Sequence, residues 1–308
     1  VFADIDPQTF NIDPNAVEAA ITPRTRAIAA VDIFGQSADM PALRAIADRH
    51  GLKLVTDTAQ APGAFLNGVP VGTTADIGGF SLNYHKHIHC GEGGLLVTND
   101  DRLAERLRLI RNHGEAVIDS DSPQELANIL GHNFRLGEIE AAIAREQLKK
   151  LPGLVESRQR AAAQLTQALS QLPGLQPPKV SPEATHVYYV YGMTLDLDQL
   201  SRDRAWIVAA LKAEGVTGLL EGYQNIHLNP LFRHRIAYGT SGFPWTGLRS
   251  GDSNIRYGPG LCPVAEHLHQ NSFIGLNLCA HVFTDCEVDV LISAFEKVWA
   301  DLPKSALR

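Results

Sequence analysis

The sequence predicts a two-part α/β protein, with a large domain built on a mostly parallel sheet leading into a smaller α+β domain. Three observations carry that expectation. Strand-like and helical segments alternate through short loops across the first half, the pattern of a parallel sheet covered by helices on both faces. Pro173-Gly174 and Pro177-Pro178 form the clearest punctuation along the chain. Beyond them the pattern changes to an aromatic strand, a helix and a long loop-rich stretch over 220–262. The expected division is 1–150 for the large domain and 151–308 for a linking helix with the smaller domain.

Each element has a local reason. Asp13-Pro14 supplies a cap and a first-turn proline ahead of Val17, Ala20 and Ile21 on one helix face. Residues 27–33 (AIAAVDI) read as a buried strand. A helix follows from Asp39 to His50, with Leu43, Ile46 and Ala47 on one face and Gly51 as its C-terminal cap. Strands are expected at 53–57, 77–82 and 94–98. Asp100 then caps a helix through Leu103, Leu107 and Ile110 that ends at His113-Gly114. After a stretch of low periodicity over 115–133, residues 136–150 are amphipathic, with Ile139, Ile143 and Leu148 toward one side. Pro152-Gly153 interrupts, and a second helix runs to about Leu172. An aromatic strand over 186–195, a helix capped by Ser201 and a closing helix opened by a Thr284…Glu287 capping box complete the reading.

The 308 residues are 44% apolar and 20% charged, with a formal net charge of −7. Those fractions exclude a disordered or low-complexity chain. The acidic balance, with no Lys/Arg block, excludes a general nucleic-acid backbone binder. No apolar run approaches the roughly 18 residues of a membrane span. Cys90, Cys262, Cys279 and Cys286 form no CxxC pair, which points to a reduced, cytoplasmic compartment. The chain opens on Val1 in strand-like residues, without an initiating Met or a basic region ahead of an apolar block. The expectation is a chain whose beginning is missing, not one with a signal peptide.

In a parallel sheet the ligand sits beyond the carboxyl ends of the strands, so the loops there carry the chemistry. The first, Asp57-Thr58-Ala59-Gln60-Ala61-Pro62-Gly63, puts a carboxylate at a strand end, where it serves either a cationic ligand or a helix cap. The second, GFSLNYHKHIHCGEGG over 79–94, carries Lys86 five residues past Ser81. His85, His87, His89 and Cys90 raise a rival metal-site reading, because alternate residues of an extended segment point the same way. Against it, a cationic Lys86 among the ligands repels a metal, and no second ligand cluster accompanies them. The third, Gly131 to Glu138, gathers polar groups where a helix begins, a place for an anion or a cap.

The series VDIFGQSADMPAL, VTDTAQAPGA, GFSLNYHKHIHCGEGGLLVTND, RLRLIRNHG and GHNFRLGEIEAAIAREQL resembles the DegT-type sugar aminotransferase family. The likeness runs from residue 1 to about 170 and more weakly to the end. It implies a fold-type I transferase that uses pyridoxal 5′-phosphate. By the same resemblance, Lys86 is the lysine that holds the cofactor and moves the substrate proton, and Asp57 pairs with the pyridine nitrogen. Gln60 lies near the 3-hydroxyl and Ala59 under the ring. Ser81 is a phosphate ligand, and Asn133 a phosphate ligand donated by the neighbouring subunit of a homodimer, with Arg135 at that interface. Tyr84 and His227 are substrate-side candidates, His227 in a loop (223–230) similar to the family's substrate loop. A further part of the phosphate cup and a ring-stacking aromatic are expected ahead of residue 1. Asp32 stands where many members carry histidine.

The chemistry is consistent with these roles. A carboxylate beside the ring nitrogen favours its protonated form. A lysine whose surroundings depress its pKa serves as a neutral base. The implied reaction moves an amino group from glutamate or glutamine to a nucleotide-linked keto-sugar. The alternatives are a sugar dehydratase of the same family, in which histidine replaces the lysine, and a non-catalytic relative that senses a small ligand. The spacing from Ser81 lands on Lys86 and not on a histidine, which favours the transferase.

Overall fold

The computed structural model describes residues 1–115, 129–246 and 256–302. In chain order it runs α1 (Pro14–Ala20), β1 (Ala27–Val31), α2 (Met40–His50), β2 (Lys53–Asp57), a small hairpin β3 (Phe65–Leu66) and β4 (Val69–Pro70), β5 (Ile77–Ser81), β6 (Gly94–Val97) and α3 (Asp101–Arg111). The second half runs α4 (Glu138–Leu169), β7 (Leu175–Gln176), β8 (Tyr191–Leu195), α5 (Arg204–Ala213), β9 (Leu219–Leu220), α6 (Pro230–Arg233), α7 (Pro263–His267), β10 (Phe273–Leu276) and α8 (Asp285–Ala300).

The first sheet has the order β1-β2-β5-β6, with β1, β2 and β5 parallel and β6 antiparallel. Parallel strands put their carboxyl ends on one edge, so Asp32, Asp57 and Ser81 begin adjacent loops. Two bonds past the strand ends hold those loops in register, Asp32 N–H to the Asp57 carbonyl at 2.9 Å and Thr58 N–H to the Gly79 carbonyl at 2.7 Å. β5 lies so close to the turn before it that a Cβ on Gly78 would meet the Gly72 carbonyl oxygen at 1.8 Å. Only glycine fits there.

The caps predicted at Asp13 and Asp100 hold, and Asp39, read as the first residue of its helix, is also a cap. Asp13, Asp39 and Asp100 each accept an N–H of the following turn, and Gly51 ends α2 in the left-handed region at φ 64°. The helices cover one sheet face. Ile28, Ala30 and Leu54 pack under Val17, Met40, Leu43 and Ala47, while the alternate residues Ala27, Ala29 and Val31 are exposed. The expected two-sided covering is therefore not present among the described residues.

α4 also departs from expectation. Pro152 does not interrupt it, and one helix of 32 residues carries the chain from the first sheet to the second. The proline forfeits one backbone bond, at about 3 kcal/mol. Burial of Leu151, Val155, Arg158, Ala161, Ala162, Leu165 and Leu169 along one face outweighs that loss. The boundary expected at 150/151 thus falls inside a continuous helix. Its amino-terminal half shows Ile139 and Leu148 to solvent, at 75% and 56% exposure, so the apolar stripe read there is not core. Residues 116–128, most of the low-periodicity stretch, lie outside the described residues.

The second sheet is antiparallel, in the order β7-β8-β10-β9. Its core joins Leu165 and Leu169 of α4, Tyr191 and Met193 of β8, Ile207 and Leu211 of α5, Ile274 of β10 and Phe295 of α8. The aromatic strand is shorter than predicted, because residues 186–190 turn away from the ladder at Tyr188, whose φ is 51°. The cap of α5 lies two residues after the expected one: Asp203, not Ser201, accepts the Trp206 N–H at 2.9 Å. The Thr284…Glu287 capping box opens α8 as read.

Candidate active site

The three parallel strands deliver their loops to one crevice, which the second domain closes. Asp57 ends β2 with an exposed carboxylate, one oxygen accepting the Ala59 N–H at 3.0 Å. Three residues on, Gln60 is buried. Its Oε1 accepts the Phe34 N–H at 2.7 Å and its Nε2 donates to the Tyr223 hydroxyl at 3.1 Å. Phe34 holds a left-handed φ of 59° to make that bond, a strain of the kind that concentrates at functional sites. Gly35 beside it, at φ 111°, admits the second domain's chain, since a Cβ there would stand 2.9 Å from the Tyr188 nitrogen.

Ser81 ends β5, and its Oγ accepts the Asn83 N–H at 3.2 Å. A tight turn follows, with Lys86 N–H on the Asn83 carbonyl. It leaves Lys86 half-buried, with its Nζ 4.8 Å from the centroid of the Tyr189 ring. Burial lowers the Lys86 pKa, and the charge of Asp57 opposes that shift. Among the described residues Lys86 makes no ion pair. The turn also undoes the geometry behind the metal reading. His87 points inward to the Gln60 carbonyl at 3.1 Å, while His85 packs against the Tyr84 ring and His89 is exposed. The three rings do not share a face.

The remaining candidates lie apart. Tyr84 is exposed on the rim. Asn133 bridges to Asn112 past the end of α3, and Arg135 donates to the Asn112 Oδ1 at 2.7 Å. Both are exposed, beside an exposed Phe134. His227 is buried, its Nε2 2.8 Å from Glu266 Oε1, on the wall of an apolar groove of about 550 Å³ that Phe34 and Tyr223 also line. Burial pushes the Glu266 carboxyl up, but the N–H groups of Gly260 and Cys262 and the His227 ring more than offset it. Asp32 is fully buried and bonded to Ala38 N–H and Thr58 Oγ1, at 2.9 and 2.7 Å. It supports the loop from behind the crevice.

The motifs did not single out Tyr189, Arg158 or Phe34. Tyr189 stands in the aromatic run HVYYVYG, whose density was the available signal; no local pattern marks the other two.

A sequence profile of the DegT/DnrJ/EryC1/StrS aminotransferase family matches residues 1–248. The chain belongs to this family. The DegT-family relatives it resembles include a "pleiotropic regulatory protein" of Geobacillus stearothermophilus, 40% identical over 75% of this chain and 60% of that protein. An L-glutamine:2-deoxy-scyllo-inosose aminotransferase of Streptoalloteichus tenebrarius is 39% identical over 78% of this chain and 59% of its own length. A GDP-perosamine synthase of Caulobacter vibrioides is 32% identical over 97% of this chain and 72% of its own. The chain thus spans about 60% of the length of the first two. The crystal structure of S. venezuelae DesV superposes with a TM-score of 0.80 at 31% identity, over 98% of this chain and 72% of that one. The DegT-family fold is therefore that of the aminotransferases.

The donor set fits pyridoxal 5′-phosphate. Lys86 offers an amine with a burial-lowered pKa and no ion pair among the described residues. Asp57 offers a carboxylate in the same crevice, close enough to act on that amine's charge. Gln60 offers an amide held at both ends. Ser81 Oγ, which only accepts in its bond with Asn83, keeps its proton for a phosphate oxygen.

Proposed function

We propose that this protein is an aminotransferase dependent on pyridoxal 5′-phosphate, moving an amino group from glutamate or glutamine to the keto carbon of a nucleotide-linked sugar. The observation that carries the reading is the half-buried Lys86 amine, without an ion pair among the described residues, in one crevice with the Asp57 carboxylate. Lys86, Asp57, Gln60, Ala59 and Ser81 would hold the cofactor, which supplies an electron sink for the bond to hydrogen that breaks at the donor's α-carbon. Asp57 would keep the ring nitrogen charged by proximity of opposite charge. Lys86 Nζ, whose basicity burial lowers, would take the α-proton and deliver a proton back; water then supplies the oxygen of the 2-oxo acid while the amino group stays with the cofactor. On the sugar the same amine works in reverse. The relatives named for an L-glutamine donor and for a GDP-amino sugar support both halves.

The reading includes a homodimer with a shared site. Asn133, Phe134, Arg135 and Ile139 form an exposed, partly apolar stretch at and before the start of α4. That supports Asn133 as a phosphate ligand for the other subunit. Tyr84 on the rim and His227 on the groove wall are the sugar-side residues in this reading. The four free cysteines support a reducing, cytoplasmic setting.

The test is a product analysis by mass spectrometry. Glutamate or glutamine is supplied with a panel of nucleotide-linked 3- and 4-keto-sugars and with an inosose. A sugar that gains an amine while the donor becomes its 2-oxo acid supports the proposal. Loss of oxygen without amine gain points to a dehydratase, and no conversion with tight cofactor binding points to a sensing relative.

A further inference from the structure

The Lys86 turn carries a second inward-facing group that the proposed reaction does not use. His87 is 3% exposed and stands between Gln60 and Arg158. Its Nδ1 lies 2.8 Å from the Arg158 Nη1, and its Nε2 lies 3.1 Å from the Gln60 carbonyl oxygen. A guanidinium only donates, so Nδ1 must be a bare acceptor. The single ring proton is then on Nε2, where it donates to the carbonyl. An imidazolium would place Nδ1–H against an Arg donor, so the ring is neutral in this arrangement.

Arg158 is itself unusual. It is 5% exposed, and among the described residues it has no carboxylate partner. Its contacts are the His87 ring and the Leu278 carbonyl, which accepts from Nε at 3.3 Å. A buried cation held only by neutral acceptors is costly, so a purely structural purpose is poorly served by it. Burial and the Arg158 charge together push the His87 pKa down to about 3, which agrees with the neutral ring.

Gln60 is therefore gripped at both ends by the second domain. The main-chain carbonyl is tied through His87 and Arg158 to Leu278, and the side-chain amide is tied to Tyr223. We infer that His87 is a positioning residue: Arg158 fixes its Nε2–H tautomer, and that N–H sets the Gln60 main chain so that the Gln60 amide stays placed at the crevice. This rests on the reading of Gln60 as a cofactor neighbour. It goes beyond that reading by making the amide's position depend on how the second domain sits.

Long-range proton–nitrogen spectra of the histidine rings at neutral pH read the tautomer directly. The expected result is a His87 ring protonated at Nε2 and bare at Nδ1. A His87 ring protonated at Nδ1, alone or together with Nε2, overturns the inference. Two variants test the consequence. His87→Gln keeps an N–H donor at similar reach and should leave the Gln60 side-chain amide resonances in place, whereas His87→Leu should shift them. In turnover, His87→Leu should lower kcat roughly tenfold to a hundredfold with the donor KM little changed, and His87→Gln should recover most of it. Equal effects of the two variants overturn the inference, and if His87→Leu does not fold, the wild-type tautomer decides alone. The underlying reading fails separately, since pyridoxal 5′-phosphate that leaves the wild-type Gln60 amide unmoved removes Gln60 from the cofactor site whatever the tautomer of His87.

Discussion

Lys86 Nζ rests 4.8 Å from the centroid of the Tyr189 ring, so the amine meets an aromatic face of the second domain and not a carboxylate. Burial favours its neutral form and Asp57 opposes that. The two effects act on one amine, and each can be changed separately.

Asp57→Asn removes the charge that raises the Lys86 pKa and leaves the burial that lowers it. The Lys86 pKa should therefore fall further. Acylation of Lys86 by acetic anhydride, followed by peptide mass spectrometry across a pH series, should show a midpoint moved to lower pH. An unchanged or raised midpoint removes Asp57 from the environment of Lys86.

Asp32 has its pKa pushed up to about 6 by burial, against hydrogen bonds from Thr58 and Ala38. The folded state then holds a proton that the unfolded chain, at its ordinary value of 3.8, has released. This contribution to stability is full below pH ~4, declines as pH rises to ~6 and stays lost above that. Two units correspond to about 3 kcal/mol as a ceiling. Asp32→Asn, which keeps an acceptor for Ala38 N–H, should flatten the dependence and match or exceed wild type at pH 8. Urea unfolding from pH 4 to 8 measures it, and a variant less stable than wild type at pH 8 would contradict the account.

Much of the first half was legible because its signals are local. Asp13, Asp39 and Asp100 cap the helices they precede, and Lys86 and Asp57 lie in the crevice that the strand order implies. What was not legible depends on contacts between distant segments. Pro152 reads as a break until Leu151 and Val155 are seen packed against Ala61 and Leu82. Ile139 reads as part of one apolar helix face, and nothing local shows that this face is exposed. His87 reads as one of three equivalent histidines until Arg158, 71 residues away, is found on its ring.

His227 and Glu266 form a buried pair in which the carboxylate also accepts the N–H groups of Gly260 and Cys262. Glu266→Ala strands three donors at once and should cost about 3–5 kcal/mol. Thermal unfolding measures this, with a lowered midpoint expected. A midpoint within a degree of wild type would show the pair to be dispensable, and would free His227 for a role at the groove.

Asn133→Ala tests the shared site. In the dimer it should weaken pyridoxal 5′-phosphate binding about tenfold, the value of one good hydrogen bond to a charged oxygen. Sedimentation and a cofactor titration on the same sample decide it. A monomer that binds as tightly as wild type contradicts the cross-subunit role.

The central claim is that Lys86 is the cofactor lysine. The protein is incubated with pyridoxal 5′-phosphate, reduced with borohydride, digested and mapped by mass spectrometry, beside Lys86→Ala. The account predicts one saturable label, on the peptide carrying Lys86, lost in the variant. A label on another lysine, or one that persists undiminished in Lys86→Ala, would contradict it.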